Sequence, residues 1–357
     1  MTKLNNLKKI MIKNSEIVNF GVPYVIAEIG ANHNGDMQLA KKMIDSAIEC
    51  GADAVKFQSW TNSSLIAKEE YDNNQSYDDC KKKHFGSLLE MVNKYALTHE
   101  GHVELKEYCD SLGVDFCSTP FSESEADMLE GLEVPFFKVA SMDITNTRLI
   151  KHIARKGKPV IISTGMATLA EIDKAVKTIE GEGNTDISIL HCISIYPPEM
   201  KDVNLNNIKM LQDAFDYPIG FSDHSVGSAL PLASVALGAC IIEKHFTLDK
   251  GLPGWDHAVS ADPDELKVIC GESKNIQIAL GSTQRVVSEA ELSKKSKFRR
   301  SVVSNRALEA GHILTASDFS FKRPGTGIPP EMEEMIIGRK LRINKSEDEL
   351  LAWDDLV

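Results

Sequence analysis

The chain has 357 residues, of which 42% are hydrophobic and 26% are charged, and its formal net charge at pH 7 is -12. This length accommodates one large domain and one small domain. The acidic balance argues against non-specific binding to nucleic acid or to anionic membranes, because both need clustered positive charge. An anionic substrate would need a few lysines gathered locally against this background.

Seven cysteines are spread along the chain without a Cys-x-x-Cys pair. Several lie within apolar patterns, as Cys117 and Cys192 do. We interpret them as buried free thiols in a reducing compartment, and not as a zinc cluster or a disulfide framework. Residues 1–17 are polar and lysine-rich, without an apolar core of signal-peptide length. No run reaches the length of a membrane span, so we expect a cytoplasmic protein.

Eight apolar segments alternate with segments of helical periodicity. The first covers residues 22–30 and is followed by a helical pattern over 37–50. The other predicted strands cover residues 54–58, 113–119, 135–141, 159–164, 187–194, 218–222 and 239–245. Near-continuous apolarity is typical of a parallel sheet buried on both faces, and eight such strands predict an α/β fold of the (β/α)8 TIM barrel type. A doubly wound sheet would need fewer strands and a Gly-x-Gly-x-x-Gly turn, which the sequence lacks.

The barrel domain is predicted to span residues 1–280. Within it, the long polar stretch 60–98 is either a lid or wall over the pocket or a disordered insertion. A polar, basic segment, 281–297, is interpreted as a linker. Residues 298–357 consist of short segments broken by glycine and proline, which predict a small domain of irregular strands. About sixty residues are marginal for an independent core, so we expect this domain to lean on another surface.

Polar side chains gather at the predicted strand ends, which a parallel barrel brings to one mouth. They are Glu28, Lys56, Gln58, Ser118, Thr119, Lys138, Ser141, Asp143, Ser163, Thr164, Ser194, Ser222, Asp223, His224 and His245. Two lysines among several hydroxyls favour a phosphate or carboxylate site, since ammonium groups act as point charges and hydroxyls donate hydrogen bonds. The alternative is that each lysine extends its charged end to solvent.

His224 and His245 end two consecutive predicted strands and could share one divalent ion. Each lies beside a carboxylate, Asp223 or Glu243, which is a candidate for orienting its ring. Two imidazoles leave positions open for water and substrate, which suits polarisation of a carbonyl better than a closed structural site. The pattern does not discriminate among Mn²⁺, Mg²⁺ and Zn²⁺. The alternative is a pair of hydrogen-bonded structural histidines.

Two further charged residues lie outside the strand ends. Asp256 is in the loop after the eighth strand, which is either a solvated connection or a cover over the barrel mouth. Arg323 is held rigidly by the following Pro324, but residue chemistry alone does not decide its role.

These motifs, in this order, resemble the sialic acid synthase family, enzymes that condense phosphoenolpyruvate with a six-carbon amino sugar. The matching motifs are Ala27-Glu28-Ile29-Gly30-Ala31-Asn32-His33-Asn34-Gly35, Val55-Lys56-Phe57-Gln58, Ser118-Thr119-Pro120-Phe121-Ser122, Phe137-Lys138-Val139-Ala140-Ser141, Ile162-Ser163-Thr164-Gly165-Met166, Ser222-Asp223-His224 and Glu243-Lys244-His245-Phe246-Thr247. They cover the whole predicted barrel. The segment Lys322-Arg323-Pro324-Gly325 resembles the antifreeze-like (SAF) domain that follows the barrel in this family.

The resemblance implies a TIM barrel joined to a small C-terminal SAF domain in a domain-swapped homodimer. It implies that His224 and His245 hold Mn²⁺ or a similar ion, and that Arg323 of the other subunit holds the acyl group of the acceptor. The implied catalytic residues are Glu28, Asp143 and Asp256. The residues implied to bind phosphoenolpyruvate and the acceptor are Lys56, Gln58, Thr119, Lys138, Ser141, Ser163, Ser194, Tyr196 and Ser222.

The sequence departs from the family pattern at three places. Asp143 stands where the family usually has glutamate, Ser194 stands for an asparagine, and Trp255 replaces a proline before Asp256. The first and third touch the acceptor side, so a diacetamido-dideoxyhexose leading to legionaminic or pseudaminic acid is an alternative to N-acetylmannosamine. Two other hypotheses stay open. One is a phosphoenolpyruvate-dependent 3-deoxy-aldulosonate synthase that uses a phosphorylated sugar, and the other is a non-catalytic sugar-acid binding protein.

Overall fold

The computed structural model describes residues 8–75 and 86–357. The chain divides into two compact units, Met1–Gly281 and Ser282–Val357. The first unit contains a barrel, and the second contains a small mixed fold. The domain and linker boundaries drawn from the sequence stay predictions.

The first unit begins with an antiparallel hairpin of strands β1 (Ile10–Ile12) and β2 (Ser15–Ile17). Its three isoleucines are buried in one cluster with Tyr24, Ala54 and Ile241, which are the first residues of three barrel strands. The hairpin therefore closes the amino-terminal end of the barrel. It is not among the elements predicted from the sequence, because three-residue strands carry too little periodicity to be recognised.

Eight parallel strands form the central sheet of this unit. They are β3 (Tyr24–Gly30), β4 (Ala54–Ser59), β5 (Asp115–Pro120), β6 (Phe137–Val139), β7 (Val160–Ser163), β8 (Ile187–Cys192), β9 (Ile219–Asp223) and β10 (Ile241–His245). Consecutive strands pair from β3 to β5 and from β6 to β10, and β10 also pairs with β3. β5 and β6 lie side by side and complete the ring. The predicted TIM barrel is confirmed.

Helices surround this sheet. The apolar faces of most of them share one core with the strands, while those of the long connection after β4 pack in a separate cluster around Trp60. They are α1 (Met37–Cys50), α2 (Asn62–Leu65), α3 (Lys68–Asn73), α4 (Leu88–Tyr95), α5 (His99–Leu112), α6 (Glu123–Gly131), α7 (Thr147–Ala154), α8 (Leu169–Gly181), α9 (Met200–Val203), α10 (Asn206–Ala214), α11 (Ala229–Ala236) and α12 (Pro263–Leu280). Short 3-10 helices, Ser141–Asp143 and His257–Val259, follow β6 and β10.

Helix α1 illustrates how local sequence sets the position of a site residue. The Asp36 carboxylate accepts hydrogen bonds from the backbone amides of Gln38 and Leu39, which fixes where the helix begins. The helix ends at Gly51, whose φ of 91° lies in the left-handed region that glycine tolerates. The chain then turns directly into β4, which carries Lys56 to the barrel mouth.

The polar stretch between β4 and α5 is helical in its described part, where it contains α2, α3 and α4. Its Trp60 and Tyr95 belong to a buried cluster that Trp255 also joins. The Trp255 ring centroid lies 5.5 Å from that of Tyr95 and 6.1 Å from that of Trp60. The described part of the stretch is thus a packed wall beside the loop after β10. Residues 76–85 of the predicted insertion lie outside the described residues.

The second unit combines short helices with irregular strands. They are α13 (Glu289–Leu292), α14 (Lys295–Phe298), β11 (Ser301–Ser304), β12 (Phe319–Lys322), α15 (Glu333–Ile336) and the 3-10 helices Ala316–Asp318, Pro330–Met332 and Trp353–Asp355. β11 and β12 pair antiparallel. The core consists of Val302, Leu308, Leu314, Phe319, Ile328, Ile336, Leu341, Leu351 and Leu356. This is a small core for a unit of this size.

The six described cysteines, Cys50, Cys109, Cys117, Cys192, Cys240 and Cys270, are free and buried. For these residues the predicted free thiols are confirmed, while Cys80 lies outside the described residues. Within residues 8–75 and 86–357, no helix is both long and apolar enough to cross a membrane.

Candidate active site

The carboxyl ends of β3, β4 and β10 bring three predicted site residues into one row. Glu28 lies in register with Lys56 on β4 and with His245 on β10. Side chains at paired positions of a parallel sheet point to the same face. All three residues are buried at the barrel mouth, which is where barrel enzymes place their reactive groups.

Two lysines and two glutamates form a buried charge network in this mouth. Lys56 Nζ lies 2.6 Å from Glu28 Oε2 and 3.8 Å from Glu243 Oε2. Lys138 Nζ lies 3.5 Å from Glu243 Oε1. Glu243 therefore joins the two lysines, and each of the four charges has an opposite neighbour. Such pairing is required because an isolated buried charge is strongly destabilising.

Three hydroxyl groups complete this network. Lys56 Nζ donates to Thr119 Oγ1 at 3.1 Å, and Lys138 Nζ donates to Ser163 Oγ at 2.6 Å. Ser222 Oγ donates to Glu243 Oε1 at 2.9 Å. The structure thus brings together five of the residues predicted to bind an anionic substrate. We call this group (Lys56, Thr119, Lys138, Ser163 and Ser222) the lysine cup.

The two glutamates differ in their ionisation. Burial raises the pKa of Glu28 to about 7; Lys56 opposes this rise and Glu243 adds to it. Burial acts on Glu243 in the same direction, but Lys138 and Lys56 together hold its pKa below the ordinary value of 4.5. Glu28 can therefore exchange a proton near neutral pH, while Glu243 stays negative and anchors the lysines.

His224 and His245 face each other beside the lysine cup, with their ring centroids 5.4 Å apart. Tyr196 stacks on His224 at 4.0 Å between centroids and meets His245 edge-on at 5.8 Å. His224 Nδ1 lies 2.7 Å from the carbonyl oxygen of Ile193. A carbonyl only accepts hydrogen bonds, so Nδ1 carries the hydrogen of this contact, and Nε2 is the ring nitrogen that would offer a lone pair to a ligand.

His245 meets the chemical requirements of a metal ligand. Burial and the neighbouring His224 hold its pKa well below the ordinary value of 6.5, so the ring is neutral. Its Nδ1 is buried without a hydrogen-bond partner and lies 3.9 Å from Asp256 Oδ2. The described residues contain no group of three or more His, Cys, Asp or Glu side chains placed to hold a metal ion. A pair of imidazoles leaves the other coordination positions to water and substrate, which is the ligand pattern of an open site.

The hypothesis that Asp223 and Glu243 orient the two imidazoles is wrong. Asp223 binds Ser225 and Lys244, and Glu243 binds the lysine cup. Asp223 precedes His224 directly, and successive side chains of a strand point to opposite faces, so its carboxylate is directed away from the ring. Glu243 shares a face with His245, but its carboxylate is taken up by Lys56, Lys138 and Ser222. The Ile193 carbonyl orients His224 instead.

A second group of predicted residues surrounds Gly165. The Gly165 amide donates to Ser141 Oγ at 3.0 Å. A Cβ atom at position 165 would lie 2.1 Å from Ser194 Oγ and 2.8 Å from Ser141 Oγ, so only glycine allows both hydroxyls to approach the backbone here. Asp143 follows in the 3-10 helix after β6, where burial raises its pKa and Asn146 donates to Oδ1 at 3.1 Å.

The remaining predicted residues occupy three places. Gln58 Nε2 donates to Glu28 Oε1 at 2.8 Å and belongs to the mouth. Asp256 approaches His245 from the loop after β10, next to the aromatic wall. Arg323 lies in the second unit, where its side chain is exposed and its guanidinium carbon is 5.1 Å from the ring centroid of Phe298.

The contact of Glu243 with the lysine cup is not among the features predicted from the sequence. A signal was available, because Glu243 and His245 stand two residues apart on one strand and so share a face. The same alternation places Ser222 inward and Asp223 outward on β9. The register between strands then brings Ser222 and Glu243 to paired positions.

Comparison with known proteins identifies the family of this chain. The NeuB family model matches residues 43–285, and the SAF domain model matches residues 299–357. An N,N'-diacetyllegionaminic acid synthase of Legionella pneumophila is 40% identical over 341 residues, covering 93% of this chain and 94% of the relative. A human N-acetylneuraminate-9-phosphate synthase is 35% identical over 333 residues, covering 92% of this chain and 91% of the relative.

A solved structure gives the same result for the fold. The crystal structure of N-acetylneuraminic acid (sialic acid) synthetase from Leptospira borgpetersenii, in complex with citrate, superposes with a TM-score of 0.72 at 33% identity. The superposition covers 80% of this chain and 95% of the synthetase chain. The chain therefore belongs to the NeuB family, the sialic acid synthase family whose motifs it carries, and it is an enzyme with a C-terminal SAF domain.

Proposed function

We propose that this enzyme is a nonulosonic acid synthase. It condenses phosphoenolpyruvate with an N-acyl amino hexose and yields a 3-deoxy-2-ulosonic acid and inorganic phosphate. The observation that carries this proposal is the position of the lysine cup beside the facing rings of His224 and His245. A cationic cup next to two metal ligands suits a reaction between an enol phosphate and an aldehyde.

The lysine cup binds phosphoenolpyruvate. Lys56 and Lys138 meet its phosphate and carboxylate as point charges, and Thr119, Ser163 and Ser222 add hydrogen bonds. Ser141 and Ser194, which flank Gly165, belong to the same substrate surface. Before the substrate arrives, Glu243 keeps both ammonium groups in the mouth, at 3.8 Å from Lys56 and 3.5 Å from Lys138.

His224 and His245 hold a divalent cation. We propose that this cation is Mn²⁺ rather than Mg²⁺ or another ion of similar coordination. When bound there, this cation supplies Lewis-acid polarisation of the acceptor aldehyde. Tyr196 fixes the plane of the His224 ring by stacking on it. His245 needs no deprotonation before it binds the cation, because its imidazole is neutral.

The reaction forms a bond between C3 of phosphoenolpyruvate and the aldehyde carbon of the open-chain sugar. Water adds to C2 and the C–O bond to phosphate breaks, so that the two protons of this water end on the former aldehyde oxygen and on the departing phosphate. Glu28 accepts the proton of the attacking water, because a carboxyl with a pKa of about 7 exchanges protons near neutral pH. Gln58 orients this carboxyl by donating to Oε1.

Asp143 and Asp256 bind the hydroxyl and acylamino groups of the acceptor. Arg323 reaches the acyl group from the other subunit of a domain-swapped homodimer. The 40% identity to a legionaminic acid synthase and the departures at Asp143 and Trp255 support a diacetamido-dideoxyhexose as the acceptor. Six free buried thiols support a reducing compartment, the cytoplasm, as the place of this reaction.

One observation favours a second candidate substrate. The human relative is named for a 9-phosphate product, which corresponds to an acceptor that carries a terminal phosphate. The reaction would be the same, and only the contacts at the far end of the sugar would differ.

A panel of acceptors tests the proposal. The purified enzyme is incubated with phosphoenolpyruvate, Mn²⁺ and either N-acetylmannosamine, its 6-phosphate or a 2,4-diacetamido-dideoxyhexose. Phosphate release and the mass of the product are then measured. We expect phosphate release to depend on an acceptor and to be abolished by EDTA, with the highest kcat/KM for the diacetamido sugar. Phosphoenolpyruvate that stays intact with every acceptor would contradict the proposal.

A further inference from the structure

Asp223 and Lys244 form an ion pair behind the strand ends that carry the two histidines. Lys244 Nζ lies 2.6 Å from Asp223 Oδ2, and the two side chains are 0% and 1% exposed, respectively. They occupy paired positions of β9 and β10, directly before His224 and His245. Because successive side chains alternate between faces, the pair is directed away from the lysine cup.

The same pair also fixes the backbone that follows His224. Asp223 Oδ1 accepts from the Ser225 amide at 2.9 Å, and Oδ2 accepts from Ser225 Oγ at 3.0 Å. Lys244 Nζ donates to the carbonyl oxygen of Ser225. One ammonium group thus binds the residues on both sides of His224, and its own chain continues directly into His245.

We propose that Asp223 and Lys244 are positioning residues that set the separation of His224 and His245 for a divalent cation. This inference rests on the proposed function of the two histidines. The rings stand 5.4 Å apart on different strands, and the Asp223–Lys244 contact links the two backbones at this level. It acts on the cation through the imidazoles and touches neither the cation nor the substrate.

Stability alone does not account for this pair. A buried ion pair contributes little net stability, since well-packed apolar residues of the same size are often as stable or more stable. A structural role and a positioning role therefore predict different results for a variant that lacks both charges. Removing both charges restores the stability lost with one charge, but it does not restore the hydrogen bond from Lys244 to the Ser225 carbonyl oxygen, which ties β10 to the residue after His224.

Binding of Mn²⁺ alone to the metal-stripped, full-length protein tests this inference. Isothermal calorimetry is applied to the wild type, Lys244→Met, the double variant Asp223→Asn/Lys244→Met, and His224→Ala as the reference for loss of a ligand. Lys156→Met is the control, because Lys156 is a half-buried lysine paired with Asp127 and Glu130 elsewhere in the same unit. Thermal unfolding of each variant is measured in parallel.

We expect Lys244→Met to lower the melting temperature, because it leaves Asp223 buried without its partner. The double variant should recover most of that loss, yet bind Mn²⁺ about tenfold or more weakly than the wild type, as expected for residues that support metal ligands. Lys156→Met should keep the Mn²⁺ affinity of the wild type, because this ion pair does not contact the histidine strands. Binding of phosphoenolpyruvate without metal should stay within about twofold in the double variant, since the pair is directed away from the lysine cup.

Two outcomes would overturn the inference, and they are distinguishable. Wild-type Mn²⁺ affinity in the double variant, together with its loss in His224→Ala, would leave the histidine pair intact and remove the role of Asp223 and Lys244. Wild-type Mn²⁺ affinity in His224→Ala would remove the metal pair itself, and the positioning role with it. If Lys244→Met does not fold, the double variant alone decides between these outcomes.

Discussion

Glu28 Oε2 and Lys56 Nζ lie 2.6 Å apart at facing positions of β3 and β4, and both side chains are buried. Gln58 donates to the other oxygen of Glu28. These contacts hold at the barrel mouth a carboxyl whose pKa is about 7. Both the activity and the stability of the enzyme should therefore depend on the protonation of Glu28.

Glu28→Gln should remove the low-pH limb of the activity profile. In the proposed mechanism Glu28 accepts a proton, so the wild-type kcat/KM should rise with pH and level off above about pH 7. The variant should lose roughly 100-fold or more in kcat, the usual contribution of a general base. Initial rates of phosphate release across pH measure both effects. A variant profile that keeps the wild-type inflection would assign it to another group.

Glu28 should make the metal-free protein less stable as pH rises, although the activity of the enzyme rises over the same pH range. The pKa of this group rises from its ordinary 4.5 to about 7 on folding, so between these values the folded state binds more protons than the unfolded chain. The contribution of Glu28 to the free energy of unfolding therefore falls as pH rises through this window. Urea unfolding at about pH 5 and about pH 8 should show a larger fall for the wild type than for Glu28→Gln. Equal falls would contradict the raised pKa.

Lys138→Met should weaken the binding of phosphoenolpyruvate. The substitution removes one charge of the lysine cup and leaves Ser163 without its donor. A hydrogen bond to a charged group contributes roughly 1.5–3 kcal/mol, so KM for phosphoenolpyruvate should rise about 10- to 100-fold while KM for the acceptor changes little. Lys177→Met serves as control, because Lys177 is exposed and pairs with Asp173 on α8, away from the lysine cup. An unchanged KM for phosphoenolpyruvate would place the anion elsewhere.

The barrel strands and their polar ends could be predicted from the sequence for one physical reason. A strand buried on both faces is a nearly uninterrupted apolar run, so Glu28, Lys56 and His245 are conspicuous where such runs end. The role of Glu243 could not be predicted in this way. Whether its carboxylate meets the lysines or the neighbouring imidazole depends on strand register and on which face is inward, and one strand alone does not contain that information.

Other features depend on contacts distant in sequence. The helices α2–α4 are too short for a clear period, and tertiary packing of Trp60 and Tyr95 with Trp255 holds this stretch together. The hairpin of β1 and β2 likewise takes its stability from the barrel end that it covers. The role proposed for Arg323 depends on a second subunit, and nothing in the sequence around Pro324 specifies what that arginine meets.

Two inactive variants should complement each other if Arg323 acts across subunits. Arg323→Ala lacks the acyl contact, and His224→Ala lacks a metal ligand. When the two chains are co-expressed, mixed dimers contain one complete site, so about a quarter of the wild-type activity should return under random pairing. Differently tagged subunits allow the mixed dimer to be purified and assayed. No activity in the mixed dimer would place Arg323 in its own subunit's site, and full activity of Arg323→Ala alone would place it outside the reaction.

The central claim is that a cation held by His224 and His245 serves the condensation next to the lysine cup. It is tested most directly by phosphate release from phosphoenolpyruvate, with a diacetamido sugar present, in metal-stripped protein. We expect the rate to fall below about a hundredth of the loaded enzyme's, to return on addition of Mn²⁺ in the wild type, and not to return in His224→Ala or His245→Ala. Full turnover by the stripped wild type, or Mn²⁺-dependent turnover by either histidine variant at the wild-type rate, would contradict the claim.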